Sequence, residues 1–313
     1  MRSYRIIPSA SACAKNWRTM FIESIEQYIK TVFDLQAQYR DGQDESMSYP
    51  SLSSYSPFIF RGHNDRDYKL MPGIFRTECG LDKKTTPVYS QDEYTTLIDF
   101  ISHSSSISNL PANQLVPWLE IAQHYGVPTR LLDFTTNPLV ALYFACEGGE
   151  GKNASVWVLH EARYKCTFCP ESDGKPFDPV ASDRIVWEMA MGEICPPKRH
   201  NQKLPQRRHE CPWIYRPFYR YERMVSQSSV FMLWGSNKSD LAHFMKQEHY
   251  MDIGCADPDN EETGLICELV IPSGSKSILL RQLDTLGVNE RFIYPGLDGI
   301  GRDVRRRASL AKA

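Results

Sequence analysis

No stretch of the 313 residues approaches the roughly 18 consecutive apolar residues that a membrane-spanning helix needs, so a chain without such a span is expected. The first residues, MRSYRIIPSASACAKNWR, lack the continuous apolar core of a secretory signal, and a cytoplasmic location is the expectation. HExxH, GxxxxGK[ST] and GxGxxG are all missing, which argues against zinc proteases and the common nucleotide-binding loops. An internal repeat is missing as well. The nine cysteines are odd in number and scattered, in a chain long enough to build a core without staples; reduced thiols are expected in place of a disulfide framework. Charge of one sign is also lacking: 36 Lys and Arg against 38 Asp and Glu give −2, so no global attraction to a polyanion follows.

What is present is the makeup of a folded domain. Hydrophobic residues at 42% and aromatics at 12% are enough to fill one or two ordinary cores, which sets disorder aside. From Asn16 to about Tyr39, Phe21, Ile25, Tyr28 and Val32, with Ile22, Ile29 and Phe33 beside them, recur at helical spacing. A Ser-rich loop covers Asp41 to Ser56, and Phe58-Ile59-Phe60 reads as a buried strand ending at Arg61-Gly62. Helices are expected over Gln91 to His103 and Pro111 to Tyr125, then a strand over Arg130 to Phe134. Thr136 or Asn137 caps a further helix that has Pro138 in its first turn and is apolar almost all round, hence buried. Ser155 to Leu159, Val230 to Trp234 and Leu265 to Ile271 are strands, Lys276 to Leu286 is a helix, and a basic helix or frayed end begins at Asp298. The Pro-, Cys- and Arg-rich region from about 164 to 216 reads as an excursion, with a helix near Asp183 to Met191.

Two constellations carry chemistry. In Phe60-Arg61-Gly62-His63 a guanidinium stands at the end of a buried strand, where it suits a phosphate or carboxylate gripped by two parallel hydrogen bonds. Gly62 would let a ligand approach the backbone. The alternative is an arginine paired with a structural Asp or Glu. The second constellation runs from Gln123-His124-Tyr125-Gly126 through Thr129-Arg130, Asp133 and Thr135 to Pro138. So many polar groups on one turn and one short strand between apolar helices need partners, supplied by each other or by a ligand. Here the alternative is that Arg130 and Asp133 pair with each other or with Arg61 and lock the helix crossing.

Phe60-Arg61-Gly62-His63, WLEIAQHYGVPTRLLDFTTN over Trp118 to Asn137, and PLVALYFA over Pro138 to Ala145 together resemble the FRG domain, named for its Phe-Arg-Gly motif. Arg223-Met224-Val225-Ser226-Gln227 followed by Val230-Phe231 is similar to the family's Arg and Gln stretch, except that Ser228-Ser229 stands where a small residue such as Gly is expected. The resemblance implies residues 1–56 as N-terminal helix and linker and 57–313 as one domain with an insertion at about 160–216. It further implies an α+β fold with a mixed or antiparallel central sheet and flanking helices, in a bacterial, phage-defence or toxin setting.

The order of motifs also resembles ADP-ribosyltransferases, with Arg61, Thr135 or Thr129, and Glu268 in Ile266-Cys267-Glu268-Leu269 as the matching positions. That resemblance implies NAD as substrate and ADP-ribosyl transfer, with Glu268 beside an oxocarbenium-like ribose. Arg61 would hold a phosphate, His124 or His63 would bond ribose or phosphate, and Tyr125 or Tyr143 would stack on nicotinamide. Gly62, Thr129, Arg130, Asp133, Arg223 and Gln227 complete the expected binding set. Ile266 stands where members that modify arginine carry Glu or Gln, so arginine is not the expected acceptor. Glu268 could instead form a strand-end salt bridge with an arginine.

Two further readings stay open. Cys166-x-x-Cys169 is half of a zinc site that His209-x-Cys211, or Cys195 with His200, could complete. Residues 198–223 interleave basic side chains with Trp213, Tyr215, Phe218, Tyr219 and Tyr221, a makeup suited to DNA or RNA, and Arg302, Arg305, Arg306 and Arg307 add a second cationic patch. A non-catalytic module sensing a nucleic acid or protein, and a hydrolase of nucleotides or nucleic acid, are therefore the alternatives to transfer.

Overall fold

The computed structural model describes residues 20–40, 58–76, 90–108, 110, 114–161, 164, 212–217, 221–235, 240–247 and 266–310. The loop at 41–56, the helix expected at 183–191 and nearly all of the 164–216 excursion lie outside them.

Strand β1 (Met20–Phe21) precedes α1 (Ile25–Arg40), so the helix expected from Asn16 starts later. Ser24 sets the start: its hydroxyl accepts from Gln27 N–H, and Gln27 Oε1 accepts in turn from Glu23 N–H. Strand β2 (Phe58–His63) runs one residue past the expected end at Arg61-Gly62, to His63. Helices α2 (Ser90–Ser104) and α3 (Leu115–His124) lead to β3 (Leu131–Thr135). Helix α4 (Pro138–Cys146) is capped by Asn137, whose Oδ1 accepts from Leu139 N–H at 3.0 Å. Then follow β4 (Ala154–His160), β5 (Trp213–Tyr215), α5 (Glu222–Ser226), β6 (Ser229–Leu233), α6 (Leu241–Gln247) and β7 (Ile266–Ile271). Helices α7 (Lys276–Thr285), α8 (Glu290–Ile293) and α9 (Leu297–Leu310) close the described chain.

The strands form one seven-stranded mixed sheet in the order β1-β7-β4-β2-β3-β6-β5, in which β1 pairs parallel to β7 and the other pairs are antiparallel. Because side chains alternate along a strand, β2, β4 and β7 build a core on each face. Ile59, Leu159 and Ile266 pack with Trp118 and Leu119 of α3; Phe58, Phe60, Val156, Val158 and Leu269 pack with Tyr28 of α1, Leu142 of α4 and Leu279 of α7. The class is thus α+β with flanking helices. No helix among the described residues is long and apolar enough to cross a membrane.

Gly62 is where this packing is tightest. A Cβ there would stand 2.0 Å from the Ala141 carbonyl oxygen and 2.6 Å from the Ala145 nitrogen, so the glycine admits helix α4. The absent side chain lets the apolar helix lie on β2, and that contact fixes the chain on both sides of the cleft described below. Gly62→Ala should therefore cost about 3 kcal/mol or more in urea unfolding, whereas Gly73→Ala, where nothing lies within 4 Å, should change stability by less than about 0.5 kcal/mol. Equal effects of the two substitutions would contradict this account of the glycine.

Candidate functional site

Strands β2 and β3 share a single residue pair, Phe60 with Thr135, and beyond it they part. A cleft of about 340 Å³ is lined there by Arg61, Gly62, His63, Arg76, Gln123, His124, Asp133, Thr135, Glu147, Arg223 and Gln227, among others. The sequence-expected groups of β2, of the HYG segment and of the Arg223 stretch thus meet in one place.

Arg61 is the centre of it. Its Nε donates to His63 Nε2 at 3.0 Å and its Nη1 donates to the Asp133 main-chain oxygen across the gap. A guanidinium carries five N–H groups, so three remain without a partner among the described residues. Burial, reinforced by Arg76 and opposed by Asp133, brings the Arg61 pKa down to about 10. His63 is driven down to about 2, by burial first and then by Arg61 and Arg76, so the imidazole is neutral and accepts the Arg61 bond. No carboxylate among the described residues lies within ion-pair distance of Arg61, Arg76 or Arg223. Arg76 Nε donates to the Met71 carbonyl, and the Arg223 guanidinium lies 4.9 Å from the Tyr294 ring centroid. The cleft thus gathers three cations that form no ion pair among the described residues.

The HYG segment splits between site and core. Gln123 Nε2 donates to Asp133 Oδ2 and its Oε1 accepts from Thr129 Oγ1, both at 2.8 Å, so Thr129 is a buried brace behind Gln123 and not a wall of the cleft. Arg130, 2% exposed, donates to both carboxylate oxygens of Glu93 and to the Trp234 carbonyl, so the expected binding role gives way to a structural pair, with Glu93 in place of Asp133. Thr135 Oγ1 donates to the Gln227 carbonyl and accepts from Asn137 N–H, which ties β3 to α4. His124 lines the cleft and stacks on Tyr221 at 5.5 Å, its pKa lowered by burial and by Arg223. Tyr125, 69% exposed, does not line the cleft but meets the His124 ring edge-on at 5.0 Å.

The FRG domain family matches residues 56–154, which span β2 to the start of β4 and hold Arg61, the HYG segment and Glu147. The chain carries an FRG domain. No curated protein and no solved structure matches it. Within the FRG domain the Phe-Arg-Gly motif has two separable jobs: Arg61 faces the cleft and Gly62 seats α4.

Outside the matched residues, Gln227 lines the cleft and donates Nε2 to the Ile293 carbonyl at 3.0 Å. Glu268 shares a face with Ile266, as strand alternation requires, but its carboxylate takes both Nε and Nη2 of Arg66 at 3.0 and 2.9 Å. Trp157 stands between Glu268 and Arg61 in the sheet register, and Glu268 does not line the cleft. The salt-bridge alternative therefore holds for Glu268. Tyr143 does not line the cleft either; it is buried, with its hydroxyl on Glu147.

Sequence reasoning missed Arg76, Glu120 and Glu147. Glu120 had a signal, an acid inside the apolar run Trp118 to Ala122, and Glu147 had a weaker one, an acid directly after an all-apolar helix. The cationic patch on α9 is neutralised: Arg306 bonds Glu290 and Asp284, Arg307 bonds Asp303, and Arg302 lies 3.7 Å from Glu147. Cys166, Cys169, Cys195, His209 and Cys211 lie outside the described residues, as does most of the 198–223 stretch; among the described residues no three metal-ligating side chains cluster.

Two predictions follow from this geometry. Ser228 adopts φ +48, the left-handed conformation that explains why glycine is expected there, so Ser228→Gly should raise stability by about 0.5–1 kcal/mol in urea unfolding, and a loss would contradict the reading. His63 binds its proton near pH 2 when folded and near 6.5 when unfolded, so between those values the unfolded chain holds more protons. Its contribution is complete above pH 6.5 and is lost as pH falls below it, by up to about 1.4 kcal/mol per pH unit. In His63→Gln the slope of stability against pH between 4 and 6.5 should flatten relative to the parent protein; an unchanged slope would show that this imidazole is not buried neutral.

Proposed function

We propose that the cleft binds the phosphates of a nucleotide, with an NAD-type dinucleotide as substrate and transfer of its ADP-ribose unit as the reaction. The observation that carries this is the set of three arginines, Arg61, Arg76 and Arg223, facing one cleft with no carboxylate in ion-pair contact among the described residues. Buried cations are stable only when something compensates them, and a phosphate with several acceptor oxygens compensates guanidinium groups best. The three N–H groups of Arg61 left without a partner among the described residues supply donors for such an anion. His124, a lining residue whose ring is stacked on Tyr221, offers a flat group on which a base or nicotinamide ring could lie.

In the reaction, the bond between ribose C1′ and the nicotinamide nitrogen breaks and its electron pair leaves with nicotinamide. A nucleophile of the acceptor forms the new bond at C1′ and gives up its proton. The protein's part is to hold the phosphates, exclude water and place negative charge near the ribose as positive charge develops there. An ADP-ribosyltransferase-like arrangement belongs to the same proposal and is supported by the strand that carries Phe60-Arg61-Gly62 along the cleft. Glu268 has no part in this version, since its carboxylate is taken by Arg66. A role as effector in a bacterial defence or toxin system would suit such an activity.

Incubation of the protein with NAD, followed by chromatography of released nicotinamide, tests the reaction; calorimetry with ADP tests binding. Arg61→Met should weaken ADP binding at least about tenfold, the loss expected for a charge-assisted contact of about 1.5–3 kcal/mol. Glu268→Gln should leave turnover within about twofold. ADP bound without NAD consumption would leave a nucleotide-sensing module and remove transfer, and no ADP binding at millimolar concentration would remove the nucleotide reading.

A further inference from the structure

Glu147 is held more carefully than a surface acid needs. It forms the C-cap of α4, its N–H bonding the Tyr143 carbonyl and its own carbonyl accepting from Asn64 Nδ2 at 2.9 Å. The next two carbonyls, of Gly148 and Gly149, accept from Lys276 Nζ at 2.6 and 2.9 Å, and the same ammonium donates to the Asn64 carbonyl. Gly149 has φ +62, and a Cβ on it would stand 2.3 Å from the Asn64 oxygen, so the turn after Glu147 is pressed against the end of β2. The backbone that carries this carboxylate is therefore fixed to the same strand that carries Arg61.

The side chain is fixed too. Tyr143 donates its hydroxyl to Oε1 at 3.2 Å and Tyr294 donates to Oε2 at 2.7 Å. Burial first, and Glu147 itself next, push the pKa of both phenols well above ordinary tyrosine, so both remain donors. Neutral hydroxyls orient the carboxylate without cancelling its charge. Arg302 is in ion-pair contact with Oε1 at 3.7 Å and is laid over the Tyr294 ring at 4.1 Å. Each oxygen has accepted one bond and has a further lone pair, and the side chain, 32% exposed, lines the cleft.

A carboxylate held in one plane with an acceptor position left on each oxygen is complementary to two adjacent hydroxyl groups, and an acid on the ribose hydroxyls is a recurrent solution in nucleotide sites. We infer that Glu147 receives the 2′,3′-diol of the ribose whose 5′-phosphate rests on Arg61. Tyr143 and Tyr294 are then positioning residues, which act through Glu147. The inference deepens the nucleotide reading given above and rests on it.

Calorimetry with ADP and with 2′,3′-dideoxyadenosine 5′-diphosphate tests it, on the full chain and on the near-isosteric Glu147→Gln. The unaltered protein should bind ADP at least about tenfold tighter than the dideoxy analogue, and Glu147→Gln should lose most of that preference while binding the analogue as before. Tyr294→Phe, which leaves the carboxylate but removes one anchor, should reduce the preference partially, and thermal melting would show that it is folded. Equal affinity for the two nucleotides in the unaltered protein, or a preference that survives in folded Glu147→Gln, overturns the diol assignment while leaving the phosphate site standing. If neither nucleotide binds the unaltered protein, the nucleotide reading fails and this inference fails with it.

Discussion

A guanidinium held in a cleft by a neutral imidazole and a main-chain carbonyl, with no ion pair to an acid among the described residues, is the constraint from which the rest of the site follows. Arg61 spans the gap left where β2 and β3 share only the Phe60–Thr135 pair, bonding His63 on its own strand and the Asp133 oxygen on the other. Both partners satisfy hydrogen bonds without supplying charge. The unmet part of a buried cation is electrostatic, and burial already brings Arg61 down to about 10. An incoming anion would relieve that cost, and Arg76 and Arg223 on the same cleft make one phosphate too little to do so alone.

The polar density around this point is divided between two tasks. Arg130 and Glu93 form a buried pair in which breaking one partner typically costs about 3–5 kcal/mol, although the intact pair need contribute little against an apolar replacement. That pair anchors α2 to the start of β3. Thr129, Gln123 and Asp133 form a chain of side-chain bonds leading from the core to the cleft wall, so the wall is preorganised by the same segment that builds the core. On the opposite wall, Lys276 and the two tyrosines do the corresponding work for Glu147.

Much of this could be read from the sequence, and the misses have physical causes. The strand bearing Phe60-Arg61-Gly62, the all-apolar helix after Asn137 and the meeting of Arg61 with the HYG segment were legible because local pattern and polar crowding both marked them. The division of roles within that segment was not, because Glu93 lies 37 residues before Arg130 and Arg66 lies 202 residues before Glu268, and no local rule selects either partner. A glycine beside an arginine suggests ligand approach, whereas only the packed helix shows that Ala141 occupies the space of a Cβ at Gly62. Strands β1 and β5, of two and three residues, are too short to display alternation. Arg76 sits in a turn with no periodic signal at all.

The central claim is that the three cleft arginines, in no ion pair among the described residues, receive phosphate. The most direct measurement is a crystal structure of the protein grown with saturating ADP. Phosphate oxygens within hydrogen-bond distance of the Arg61 guanidinium, with Arg76 or Arg223 on the same pyrophosphate, is the predicted result. Nucleotide bound elsewhere with the Arg61 cleft empty, or a carboxylate of the protein seated on that guanidinium, would contradict the account.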